Sequence, residues 1–300
     1  MDSITLTILT PTYNREDRLP KLYESLKAQT NQNFQWLVID DGSTDNTSKM
    51  LDSFTDSQFL YEHYWKPNGG KHTALNISHP YIRGKLVCIV DSDDWLMPNA
   101  VSDIYGIYSQ FIDNKRIKCY VFQKGERADV PINKGFKDGI VLSNDIDYRV
   151  NSKYSGDGCE VIFSDIFKSY PFPEHKGEKF LGEGYLWQHI GFNYDTVYIN
   201  KVIYICEYLE GGLTRSGRIM RIKCPLGGMD NSNSYFEKVP GRNVKARILF
   251  KEAILFDCYG FFAKMDIVKI VKVCRSPVWA MIAAPFGYAL YLYWNKKYLK

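Results

Sequence analysis

Three carboxylates fall within four residues, Asp91-Ser92-Asp93-Asp94, directly after the apolar run Leu86 to Val90. Hard oxygen donors in an Asp-x-Asp spacing suit a Mg2+ or Mn2+ ion that also grips a diphosphate. The same run could cap a helix, because Asp94 precedes Trp95, Leu96, Met97 and Pro98. Taken alone, the spacing leaves both readings open. Other polar clusters sit in comparable places. Pro11-Thr12-Tyr13-Asn14-Arg15 follows one apolar segment and Asp40-Asp41-Gly42-Ser43-Thr44-Asp45 a second. Lys66-Pro67-Asn68-Gly69-Gly70-Lys71-His72 follows a third. A nucleotide needs an aromatic wall for its base, a carboxylate for base or ribose, and N–H groups with a cation for its phosphates. Tyr13, Asp41, Lys71 and Asp93 supply that set. No G-x-G-x-x-G follows the first apolar segment and no Walker lysine loop occurs, which argues against dinucleotide redox chemistry and P-loop phosphoryl transfer.

These clusters can act together only if the elements before them end on one edge. Ile4 to Thr10 alternates apolar and β-branched residues as a strand does, and Leu19, Leu22, Tyr23 and Leu26 fall on one helix face. Strands are expected at 34–39, near 59–64 and at 86–90, with helices at 46–54 and through Ala74 and Leu75. Five consecutive apolar residues before Asp91 suit a strand buried on both faces. The pattern β-α-β-α-β-α-β predicts an α/β, Rossmann-like, mostly parallel sheet with every polar cluster at its carboxyl edge, where such sheets bind ligands.

The order and content of these motifs resemble those of family 2 glycosyltransferases, strongly to Pro98 and more thinly to about residue 215. The resemblance implies a GT-A fold, a nucleotide-diphospho-sugar donor with UDP as its nucleotide, and inversion at the anomeric carbon. It implies that Pro11 and Tyr13 wall the base, with Arg15 in the same motif, and that Asp41 accepts from uracil N3–H. Asn68 and Lys71 would lie near the uridine and diphosphate. Asp91 and Ser92 would lie on the donor side, Asp91 at the ribose or the metal's water shell, and Asp93 would ligate Mn2+ or Mg2+. Many members carry Ala-Arg-Asn where this chain has Ala74-Leu75-Asn76, which moves the basic contact to Lys71, with His72 beside it.

An inverting transfer also needs a general base for the acceptor hydroxyl. The segment from Gly177 to Trp187 resembles the family's acidic motif at a helix start, with Glu183-Gly184 in place of Glu-Asp. Glu183 is the expected base and Glu178 its reserve. His189 reads as packed or partner-bonded. The Gly-rich stretch from Leu209 to Gly217 reads equally as a lid over the diphosphate or as a connector.

The net charge of +4 is unevenly spread: residues 216–300 hold 15 Lys and Arg against 5 Asp and Glu, and the first 215 hold 23 against 29. The basic part shows no nucleic-acid recognition motif. It ends in an uncharged run from Pro277 to Trp294 that barely reaches the ~20 residues of a membrane span and contains Pro285 and Gly287. With Trp, Tyr and Lys at its borders, an interfacial anchor is expected; a helix packed on the catalytic domain or a partner is the other reading. The expected layout is a catalytic domain over 1–215, divided at 98 into nucleotide and acceptor halves, and a basic, apolar helical extension over 216–300. Seven cysteines without a C-x-x-C pair suit reduced thiols. With no signal-peptide pattern at Met1, a cytoplasmic enzyme on the inner membrane face is expected. Its partners would be a nucleotide-sugar donor and a glycan or lipid-linked acceptor of surface polysaccharide. A nucleotidyltransferase or a non-catalytic sugar-nucleotide or membrane-binding module are the alternatives.

Overall fold

The protein's structure, a computed structural model, describes residues 4–132, 136–152, 154, 156–206 and 213–299, without the side chains of 213–216. Four parallel strands form the first half: β1 (Leu6–Thr12), β2 (Phe34–Asp40), β3 (Leu60–Trp65) and β4 (Leu86–Ile89), in the order β3-β2-β1-β4. Helices α1 (Leu19–Lys27), α2 (Thr47–Ser53) and α3 (Lys71–Ser78) connect them. Every residue of β1, β2 and β4 is buried, as the apolar runs require. The two-residue period sends Leu6, Ile8, Trp36 and Cys88 to one face, against Leu19, Leu22 and Leu26 of α1. Leu9, Leu37, Val87 and Ile89 go to the other, against Ala74 and Leu75 of α3.

The second half adds β5 (Trp95–Leu96), α4 (Ala100–Phe111), β6 (Ile117–Arg127), β7 (Val130–Pro131) and β8 (Ile140–Ser143). It continues with β9 (Gly158–Phe163), α5 (Ser164–Ser169), α6 (Gly184–Asn193) and β10 (Asp195–Ile205). The sheet runs on as β4-β9-β6-β10-β5. β9 is antiparallel to both neighbours, whereas β10 lies parallel to β6. The helix-cap reading of Asp94 is corrected here. Trp95 and Leu96 pair antiparallel with Ile205 and Tyr204, so the acidic run feeds an edge strand, and α4 starts only at Ala100.

The C-terminal part is helical: α7 (Leu213–Lys223), α8 (Pro225–Ser234), α9 (Ala246–Phe262), α10 (Ile267–Val273) and α11 (Pro277–Tyr298). It has its own core, in which Met229, Phe256, Tyr259, Ile270, Ala280, Ala283 and Trp294 meet. Gly287 permits the close α9–α11 approach, since a Cβ there would stand 2.5 Å from that of Asp257. The unit docks on the catalytic body through α8. Glu178 caps α8 by accepting from the N–H groups of Leu226 and Gly227, both at 2.9 Å. Gln188 of α6 donates to the Tyr235 hydroxyl, and Arg242 pairs with Asp195. Arg275 lies beyond the end of α10, where its N–H donates to Asn233. Among the described residues no helix is long and apolar enough to cross a membrane. Of the possible lid, Leu209 to Gly212 lie outside the described residues, and α7 begins at Leu213.

Candidate active site

The first four strands end together, and the loops after them are laced to one another. Asp41 N donates to Thr12 O, Lys66 N to Asp40 O, and Val90 N to Leu9 O. Asn14 takes φ 51° there, a conformation Asn tolerates, and its side-chain oxygen accepts from Thr44 N at 2.8 Å. Arg15 is fixed by its own N–H, which donates to Thr47 Oγ1. Tyr13 projects into solvent, whereas Pro11 and Ser92 are buried.

Asp41 organises the Gly-Gly loop. Its Oδ1 accepts from Gly69 N at 2.9 Å and Lys66 Nζ at 2.5 Å; its Oδ2 accepts from Gly70 N at 2.7 Å and Asn68 Nδ2 at 3.2 Å. All four lone-pair directions of the carboxylate are therefore occupied. Gly70, at φ 95°, has no substitute, because a Cβ would come within 2.0 Å of Lys179 O. That contact presses the loop against the segment leading to Glu183.

Lys71, the first residue of α3, joins the two halves. Its Nζ donates to Asp91 Oδ1 at 2.5 Å and to Glu183 Oε2 at 3.1 Å. Burial works against the ammonium, but Asp91 and Glu183 outweigh it and raise its pKa. Burial likewise opposes the Asp91 carboxylate, yet Lys71, Lys124 and Arg15 hold its pKa below the ordinary value. Asp93 stands nearby with Arg15 at 3.7 Å. Burial pushes Asp94 up to about 7 even though the Tyr204 hydroxyl donates to it at 2.7 Å. The same hydroxyl accepts from Asp91 N at 3.0 Å. Lys124 of β6 lies over the Tyr204 ring, 4.5 Å from its centre. Burial opposes its charge, and Asp91, Glu160 and Glu183 more than restore it. The structure thus gathers Arg15, Asp41, Asn68, Lys71, Asp91, Asp93 and Glu183 along one edge.

Among the described residues no three carboxylate, imidazole or thiol side chains converge. Asp93 nevertheless fits a Mg2+ or Mn2+ ion that draws its other oxygens from substrate phosphates and water, the habit of sites with one or two carboxylates. Its only partner among the described residues is the long Arg15 pair, and its side chain is 30% exposed.

The sequence matches the model of Glycosyl transferase family 2 over residues 7–136. It is 30% identical over 292 residues to an uncharacterized glycosyltransferase of Mycoplasma pneumoniae, spanning 94% of this chain and 91% of that protein. The chain belongs to the family 2 glycosyltransferases. The transferase is also 29% identical over 207 residues to an Escherichia coli enzyme, WfgD, named as a UDP-Glc:alpha-D-GlcNAc-diphosphoundecaprenol beta-1,3-glucosyltransferase. That match covers 63% of this chain and 71% of the relative. Among solved structures, a Pyrobaculum calidifontis mannosyltransferase in complex with GDP-Man and Mn2+ superposes with a TM-score of 0.59 at 16% identity. The superposition covers 97% of this chain and 83% of that one, and the fold is GT-A.

One expectation for the transferase's second half changes in the structure, and another holds. Glu178 caps α8 and is fully engaged there, which removes it as a reserve base. His189 is packed between Tyr170 and Tyr185, and its Nδ1 bonds Glu237 at 2.7 Å. His72 is buried beside Lys71, and burial lowers its pKa, so the imidazole is neutral at pH 7. Lys66, Lys124 and Tyr204 belong to the site but were not read from the sequence.

Proposed function

We propose that the transferase moves a sugar, with inversion, from a UDP-sugar to a glycan or lipid-linked acceptor of a surface polysaccharide. The observation that carries this reading is Lys71, whose one ammonium holds both Asp91 of the donor motif and Glu183 at the head of α6. Tyr13 lies along the base, with Pro11 behind it. Asp41 accepts from uracil N3–H in exchange for Lys66, its only donor on a long flexible side chain. Asn68, Ser92 and Arg15 line the ribose and diphosphate. Asp93, with Asp91 behind it, would hold Mn2+ or Mg2+, and that ion would offset charge on the departing diphosphate.

Glu183 has one oxygen on Lys71 and no other partner among the described residues. It takes the acceptor hydroxyl's proton as that oxygen bonds to the anomeric carbon. The carbon–oxygen bond to the diphosphate breaks on the opposite face, and its electron pair leaves on UDP. Lys71 and Lys124 keep positive charge beside the reacting groups throughout. A UDP donor and undecaprenol-linked acceptor are supported by the name of the Escherichia coli relative.

Calorimetric titration of UDP, GDP and dTDP, with Mn2+ and with chelator, tests the donor half. Wild type should bind UDP most tightly and in a metal-dependent way, and Asp93→Ala should lose that dependence. Glu183→Gln should bind UDP as wild type does yet lose about 100-fold or more of transfer, the scale of a general base. Normal turnover in Glu183→Gln would remove the base assignment. Absence of nucleotide binding by a folded protein would remove the donor reading.

A further inference from the structure

Helix α11 has an outer face that water does not suit. Its inner face, Ala280, Ala283, Gly287 and Trp294, is buried against α9. The outer face carries Val278, Met281, Ile282, Phe286, Leu292 and Tyr293, each at least half exposed. No charged residue occurs between Pro277 and Asn295, so the stripe continues uninterrupted for about 22 Å of helix. Val268 and Val273 of the neighbouring α10 are exposed as well. A contiguous apolar stripe of this length marks an interaction site more often than a freely solvated face.

The charges around it say what covers it. Lys269 and Lys272 precede the stripe, and Lys296 and Lys297 follow it. From Ile267 to the end of the sequence there is no Asp or Glu. Both ends of the stripe are therefore positive. Two copies stacked face to face would set like charges together in either orientation, and a neutral protein groove would leave them unpaired. A bilayer with anionic headgroups satisfies both features at once.

We propose that the outer face of α10 and α11 is a membrane-docking surface. Val278, Met281, Ile282, Phe286 and Leu292 enter the headgroup–acyl boundary of an anionic bilayer, and the flanking lysines contact lipid phosphates. The folded helical unit lies on the membrane and does not span it, which agrees with the lack of a spanning helix among the described residues. The inference deepens the reading above, on which its purpose rests: an enzyme on this surface meets a lipid-linked acceptor where that acceptor resides.

The test is co-sedimentation of the full chain with sucrose-loaded vesicles of phosphatidylcholine alone or mixed with phosphatidylglycerol, at low and high salt. Wild type should bind the anionic vesicles, less so at high salt. Ile282→Asp with Phe286→Asp should lose about tenfold or more of binding to them. Lys296→Glu with Lys297→Glu, fully on the surface and harmless to folding, should lose about tenfold of the preference for phosphatidylglycerol. No wild-type binding, binding unaffected by both double variants, or a solution dimer that Ile282→Asp with Phe286→Asp dissociates would overturn the proposal. Asp93→Ala should sediment as wild type does; if wild type binds vesicles but no nucleotide, the catalytic reading fails and the membrane surface stands.

Discussion

At the scale of single residues, the site is a set of carboxylates each held by a cation: Asp41 by Lys66, Asp93 by Arg15, and Asp91 and Glu183 by Lys71. Such pairing fixes the position of the acids before any substrate arrives. Tyr204 performs the same service with a neutral group, donating to Asp94 and accepting from Asp91 N. Removing its hydroxyl leaves two polar groups without partners. Tyr204→Phe should therefore cost about 1–3 kcal/mol in urea unfolding and slow transfer, with UDP affinity nearly retained. Restored stability together with normal turnover would show that the hydroxyl has no such role. Asp41, Lys71, Asp91, Asp93 and Glu183 could be read from the sequence because each sits in a motif tied to a strand end or helix start. Tyr204 and Lys124 could not, since strands from the far half of the chain bring them in and no local spacing encodes that.

At the scale of elements, the strands before Asp91 were legible because burial on both faces leaves continuous apolar runs. The short strand at Trp95–Leu96 was not, because its two residues acquire their structure only by pairing with Tyr204 and Ile205. The α9–α11 contact hides a further feature. Asp257 is fully buried beneath Gly287, neither carboxyl oxygen has a partner among the described residues, and burial pushes it up to about 7. In the unfolded chain it ionises near ~3.9. Between those values the folded chain keeps a proton that the unfolded chain has lost. The resulting stability is complete below about pH 4 and is lost as pH rises through about 7. Wild type should therefore weaken by up to about 1.4 kcal/mol per pH unit across that window from this group. Asp257→Asn should have a shallower slope, with its advantage over wild type growing as pH rises. Denaturant midpoints from about pH 5 to about pH 8 check this.

At the scale of the whole molecule, an acidic catalytic body and a basic helical unit share one chain, with α8 between them. The +10 balance of residues 216–300 was visible in composition, but the face that carries it became visible only once α9 showed which side of α11 it covers. The helical unit is also no detachable tail. Met229 and Phe236 belong to its core, and Gln188 and His189 of the catalytic body reach Tyr235 and Glu237. A chain ending at Arg242 would bare that core, so it should aggregate in size-exclusion chromatography. A monomeric, active truncation would show that the catalytic body folds alone.

A single ammonium shared by two carboxylates couples what happens on either side of it. In the proposed reaction, donor phosphates drawing Lys71 toward themselves loosen its hold on Glu183, the group that faces the acceptor. The two substrates are then not independent ligands. Linkage requires that whatever factor the donor imposes on acceptor affinity, the acceptor imposes on donor affinity in return. With Gly70 pressed on Lys179 and no slack between the loops, that reciprocity is carried by one side chain.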